Sequence, residues 1–179
     1  MVDEATKQYG HIDILVSNAN VGRYILKPFL ETSWDYFSER FTDEMKAAYE
    51  VTRAVLPGMI KQHYGKLIYV TSGSAKHTQS GAIAFATAKS GLVTFSRYIA
   101  QEFGRDGITA NVVAPGLTET DASAFILPET KQQYSFLTAL GRVGKPEDVA
   151  RIIAFCASDD SNFVTVTYTP VDGGFVLVG

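Results

Sequence analysis

The chain has 179 residues, 46% hydrophobic and 20% charged, with a formal net charge of −3. That length suits one domain, residues 1–179, with a substantial core. Basic residues are not in excess, no stretch approaches the roughly 20 apolar residues of a bilayer span, and Cys156 is the single cysteine, so nucleic acid, a membrane span and an intramolecular disulfide are all disfavoured.

Residues 2–9 read as a helix stopped by Gly10. Ile12 to Ser17 is a short apolar run and predicts a strand. A loop follows to about Ser33. Trp34, Phe37, Phe41, Met45, Ala48, Thr52, Val55 and Met59 recur at three- and four-residue spacing, which predicts a long amphipathic helix over 34–62. Thr32 or Ser33 can cap its start, and Pro57 should kink it late. Lys66 to Thr71 predicts the second strand, and a helix runs from about Ile83 to Phe103, ending at Gly104. Thr109 to Val113 is the third strand, broken by Pro115-Gly116. Residues 117–140 read as loop and short helices. Pro146-Glu147-Asp148 opens another helix, and Phe163 to Val171 forms the last strand.

Strands alternating with helices imply β-α-β units, a parallel sheet and an α/β fold. The first two strands are continuous apolar runs, as in strands covered on both faces. Right-handed crossovers put the helices of 34–62 and 83–103 on one face, so the other face should lack a cover. A self-associating chain is the expected consequence. Cys156 lies in an apolar helical stretch and reads as a core residue. His11, His63 and His77 are dispersed and read as solvated, with no metal-ligating pattern. Ser72 and His77 do not form a hydrolase signature, because no G-x-S-x-G elbow surrounds the serine. The charged start, Met1-Val2-Asp3-Glu4, lacks an apolar signal core, which makes the cytoplasm the expected compartment.

Six segments recur in a familiar order. They are Gly10 to Asn20 (GHIDILVSNAN), Leu56-Pro57-x-Met59, Lys66 to Ser72 (KLIYVTS), Asn111 to Thr120 (NVVAPGLTET), Gly144 to Ala150 (GKPEDVA) and Val171-Asp172-Gly173-Gly174. In this order and spacing they resemble the short-chain dehydrogenase/reductase family across nearly the whole chain. The resemblance implies a Rossmann-like parallel sheet with helical crossovers, lacking the first β-α-β half. It also implies an NAD(P)-dependent oxidoreductase acting on a small carbonyl or alcohol. In that family a tyrosine four residues before a lysine moves the proton. The lysine's charge favours the phenolate, and a serine polarises the substrate carbonyl.

The resemblance puts Ser72 and Lys89 at the serine and lysine positions, with Phe85 where the tyrosine should be. Phe85 has no hydroxyl to donate or accept a proton. Glu44 falls where the family carries a supporting asparagine, and Ser17 and Asn20 replace the outer residues of its N-N-A-G run. Asn18, Ala19, Lys89, Pro115, Gly116 and Thr118 would touch only the nicotinamide end of a cofactor. The 179 residues contain no G-x-x-x-G-x-G or G-x-G-x-x-G turn for the pyrophosphate, so tight NAD(P) binding is not expected.

The residues leave two readings open. One is an oxidoreductase-like protein with little or no activity as an isolated chain, a pseudoenzyme. The other is a non-catalytic module that dimerises or docks on a full-length homologue. Halohydrin dehalogenases share the fold, and segments 81–85 and 157–163 resemble theirs, but they use Ser-Tyr-Arg whereas this chain has Lys89 and lacks the catalytic tyrosine, with Phe85 in its place.

Overall fold

The structure, a computed structural model, describes residues 1–20 and 24–175. Helix α1 (Val2–Tyr9) precedes strand β1 (Ile14–Ser17). Helix α2 (Trp34–Gln62) leads into β2 (Gly65–Val70), and α3 (Ile83–Phe103) into β3 (Ile108–Pro115). Helices α4 (Pro128–Leu137) and α5 (Pro146–Ala157) precede β4 (Tyr168–Val171). The four described strands lie in the order β1-β2-β3-β4, all parallel, with Val16 opposite Ile68, Ile68 opposite Asn111, and Val112 opposite Tyr168. This is the expected α/β architecture with helical crossovers. Among the described residues no helix is long and apolar enough to cross a membrane.

Helix α2 starts where Ser33 Oγ accepts the Tyr36 N–H, and it continues through Pro57 to Gln62. Helix α3 has the expected bounds, but Gly104 is not its stop: that residue keeps helical dihedrals, and a 3₁₀ turn carries the chain on to Gly107. Gly107 sits at φ +79°, and a Cβ there would overlap the His63 carbonyl. The chain must turn tightly here to enter β3.

All four strands differ in their bounds from the sequence expectation, β2 by only one residue at each end. Strand β1 begins at Ile14 rather than Ile12: the Ile12 carbonyl is taken by the Gln62 side-chain amide, and pairing with β2 starts where the Asp13 carbonyl accepts the Lys66 N–H. Strand β3 extends one residue earlier and runs on to Pro115, which pairs with Val171. Strand β4 begins at Tyr168, not Phe163. Residues 159–161 form a 3₁₀ turn, Phe163 points fully into solvent, and Val166 adopts φ 64°, a left-handed conformation that no strand tolerates.

The core has two parts. On one face of the sheet, α2 and α3 bury Val55, Leu56, Met59, Leu92 and Val93 against Leu67, Tyr69, Ala110 and Val112. On the other face, α5 packs Cys156, Val149, Ile152 and Ile153 onto Ile68 and Val113. The expectation of a second face without cover is therefore wrong for the centre of the sheet, because the C-terminal helix returns to it. It holds only at the edge, where Ile14 and Val16 of β1 stay 43% and 39% exposed. Cys156 is buried as expected, and burial pushes its thiol pKa up.

The inner face of α2 also departs from the apolar stripe. Trp34 is 73% exposed, whereas Arg40 and Glu44 are buried, followed by Ala48, Thr52, Val55 and Met59. Two charged residues thus occupy the first inward turns of this helix. Glu44 meets Lys89 of α3, and Arg40 faces Phe85 of α3 while bonding to Asn20.

Candidate active site

In a parallel α/β sheet, ligands are met outside the carboxyl ends of the strands. Ser72 lies two residues beyond the end of β2. Its Oγ accepts the Ser74 N–H at 3.2 Å, capping a short 3₁₀ turn, and its carbonyl accepts the Tyr168 hydroxyl at 3.1 Å. Thr71 Oγ1 donates to the Lys89 carbonyl at 2.8 Å, and Ser90 Oγ to the Ala75 carbonyl at 3.2 Å. These two bonds fasten the Ser72 loop to α3.

Residues four apart on a helix share a face. Phe85 and Lys89 of α3 therefore point the same way, as do Arg40 and Glu44 of α2, and the two pairs meet. Lys89 Nζ donates to Glu44 Oε1 at 2.5 Å and to the Val70 carbonyl at 3.4 Å. The two side chains are 5% and 3% exposed. Burial lowers the lysine pKa and Glu44 works against that, while Arg40 adds a small push downward. Glu44 Oε2 has no hydrogen-bond donor among the described residues.

The half-buried Phe85 ring faces both cations. The Arg40 guanidinium carbon stands 5.4 Å from its centroid and Lys89 Nζ 5.7 Å, within cation–π range. Tyr24 meets the same ring edge-on, centroids 4.9 Å apart, and donates its hydroxyl to Gln79 Oε1 at 2.8 Å. Burial raises the Tyr24 pKa, so this phenol holds its proton firmly. Arg40 Nη2 donates to Asn20 Oδ1 at 3.1 Å, tying α2 to the segment that leaves β1.

Asn18 and Ala19 are exposed, immediately beyond Ser17, the last residue of β1. Pro115 ends β3, and the Gly116 N–H donates to the Val171 carbonyl. A side chain on Gly116 would collide with the Tyr134 hydroxyl and Asp172. Thr118 Oγ1 donates to the Gly116 carbonyl at 3.2 Å, and the residue bridges to Gly144. The expected residues thus all lie along the carboxyl edge of the sheet. Lys89 differs from the rest in that its ammonium is already committed. His77 is exposed, and among the described residues no cluster of metal-ligating side chains exists.

Arg40 is the residue of this cluster that the sequence reading missed. Its signal was present, since stepping back by fours from Thr52 and Ala48 reaches Glu44 and then Arg40. The competing stripe of Trp34, Phe37 and Phe41 obscured it.

The pattern of the family described as Enoyl-(Acyl carrier protein) reductase matches residues 1–176. The 3-oxoacyl-(acyl-carrier-protein) reductase of Thermotoga maritima is 34% identical over 178 residues, covering 99% of this chain and 71% of that protein. Its counterpart from Aquifex aeolicus is 35% identical over 163 residues, covering 91% and 65%. A gluconate 5-dehydrogenase from Burkholderia cenocepacia, solved with NADP and tartrate, superposes with a TM-score of 0.90 at 27% identity, over 97% of this chain and 68% of that one. An oxidoreductase of the short-chain dehydrogenase/reductase family from Burkholderia thailandensis gives 0.87 at 30% identity, over 97% and 68%. Ordered motifs, a parallel sheet with helical crossovers and these relatives agree: the chain belongs to the short-chain dehydrogenase/reductase family.

Proposed function

We propose that this chain is an oxidoreductase-type scaffold whose proton-transfer centre is disabled, so that it turns over carbonyl or alcohol substrates weakly or not at all. The observation that carries the proposal is the Glu44–Lys89 pair beside Phe85. Position 85 offers a ring with no ionisable atom, and the lysine that would assist a phenol is held by a carboxylate. Ser72 would still hold a substrate carbonyl through its hydroxyl.

Asn18, Ala19, Pro115, Gly116 and Thr118 would hold the nicotinamide end of NAD(P), which supplies hydride when bound. They fit that end by their place along the carboxyl edge of the sheet and by the exposed Asn18 and Ala19. Lys89 fits poorly, since a ligand hydroxyl would compete with Glu44 for its ammonium. None of these residues reaches for a pyrophosphate. Contacts at one end alone support an affinity weaker than about 1 mM.

The test is NADPH and NADH oxidation with a panel of ketones and 3-oxoacyl thioesters. The expected rate is at least ~100-fold below that of the Thermotoga maritima reductase, since general acid catalysis is worth about 10²–10⁴-fold. Phe85→Tyr alone should not restore it. A rate within tenfold of that relative overturns the proposal. Calorimetry with either nucleotide should show no saturation below ~1 mM, and a micromolar constant would contradict the one-ended grip.

A second reading, an association module, is favoured by the open face and edge of β1. Light scattering with and without NADPH separates the two. An oligomer indifferent to nucleotide supports the module.

A further inference from the structure

We infer that Glu44 is a charge-cancelling residue: it silences Lys89, so the disabled state of the site is set jointly by positions 44 and 85 and not by Phe85 alone. The inference rests on reading position 85 as the proton-transfer position.

Both side chains of the pair are at least nine-tenths buried, and Lys89 Nζ reaches Glu44 Oε1 at 2.5 Å. The centre of the Phe85 ring stands 5.7 Å from the ammonium, and a phenol on that ring would feel the charge over a comparable range. At that range an unopposed lysine lowers a phenol pKa by about two units in a medium of effective dielectric about 20. An ammonium with a carboxylate against it presents a short dipole instead, whose field falls off faster, and most of the effect disappears.

Among the described residues the groups facing position 85 are few. Helix α2 contributes Arg40 and Glu44, α3 contributes Lys89, and the segment before α2 contributes Tyr24. Arg40 acts alike whatever occupies position 44, because its guanidinium is engaged with Asn20. Tyr24 is neutral at neutral pH. Glu44 is therefore the one negative charge in the set, and its removal is the one change that unmasks Lys89.

Restoring the tyrosine alone leaves a phenol beside a neutralised lysine, with only the Arg40 guanidinium to acidify it. Restoring both positions returns the charge that acidifies the phenol. Glu44 acts through Lys89 and needs no contact with a substrate, which makes it a positioning residue.

The experiment titrates the introduced phenol directly, using ring-labelled tyrosine and carbon NMR, in the 179-residue chain without cofactor. The Phe85→Tyr variant is compared with Phe85→Tyr/Glu44→Gln and with Phe85→Tyr/Glu44→Gln/Lys89→Gln, and the parent identifies the new resonance by difference. The first variant sets the reference value, with Arg40 acting on the phenol in all three. The second should titrate lower by about one unit or more, a tenfold gain in acidity. The third should match the first, because it removes two charges that already cancel. Equal values in the first and second variants overturn the inference, as does a third variant whose phenol rises by about one unit above the first. Should Glu44→Gln leave Lys89 too costly to bury for the chain to fold, the first and third variants decide the matter between them, since exchanging a whole buried pair for neutral groups is tolerated far better than breaking one. No turnover is read. Activity in the parent chain would sink the functional proposal and leave this comparison intact.

Discussion

Lys89 and Glu44 share a space that excludes most water, and each is acceptable there because of the other. Removing one partner strands a charge in the interior, at a cost of about 3–5 kcal/mol, while replacing both with apolar groups of similar size is close to neutral. Lys89→Met and Glu44→Leu should each lower stability by that order in urea unfolding, and the double variant should recover most of the loss. Strictly additive losses would mean that the two side chains do not depend on each other. Tyr69 supplies a second residue-scale prediction. Its hydroxyl shares a hydrogen bond with Thr52 at 2.8 Å in the core, and burial pushes its pKa up to about 12. A phenol with a raised folded-state pKa stabilises the fold fully below its unfolded value of about 10, and the contribution is lost as pH climbs from there through the folded value. Two units correspond to about 3 kcal/mol at most. Unfolding free energy should therefore fall between about pH 10 and about pH 12, with a shallower slope in Tyr69→Phe. An unchanged slope would assign the alkaline limb to other tyrosines, such as Tyr168, which is also pushed up to about 12.

Two left-handed positions punctuate the elements, and they predict opposite outcomes. Gly107 needs its φ of +79° to bring the end of α3 into β3 beneath His63, so Gly107→Ala should cost about 1–3 kcal/mol in thermal or urea unfolding. Val166 holds φ 64° with a branched side chain, against its own preference, and 42% of it is exposed. Val166→Gly should stabilise the fold by about 0.5–1 kcal/mol, and a loss instead would mean that the valine's packing outweighs its strain. The same two sites explain what the sequence could announce about its elements. Bounds of α2 and α3 were legible because apolar periodicity marks both helices and a serine caps the start of α2. The start of β4 was not, because Phe163 to Thr167 carries strand-like residues while a non-glycine left-handed turn leaves no compositional trace. Lys89 and Phe85 were legible as a motif. Their partners were less so: Glu44 appeared only by counting along α2, and Arg40 was hidden because a buried arginine breaks the rule that charged residues face water. The cover supplied by α5 was missed because contact between residues 149–157 and β2 is a fact of topology, and no local pattern states which sheet face a returning helix will choose.

At the scale of the whole molecule both faces of the sheet are covered at its centre, while the β1 edge is open. Strand β1 is an edge strand among the described residues, with Ile14 and Val16 on the same face as Ile68 but beyond the part of it that α5 covers. An apolar edge of that kind is a template for pairing. The chain should therefore run above its monomer mass of 19.5 kDa in light scattering at micromolar concentration. Val16→Lys should shift it toward the monomer, since a charged edge discourages pairing. A monomeric parent with sharp cooperative melting would refute the association. The far edge carries a different message. The Ser72 carbonyl is clamped by the hydroxyl of Tyr168, 96 residues further along the chain. The loop that presents the serine is therefore completed by β4, although its other named contacts come from segments made long before. During synthesis the middle of the sheet can assemble as β2, α3 and β3 emerge, but the serine loop stays unclamped until β4 has left the ribosome and threaded past residues 159–167 to its place beside β3. A site encoded mostly in the first two thirds of the chain is in this sense set in time by a strand that arrives late.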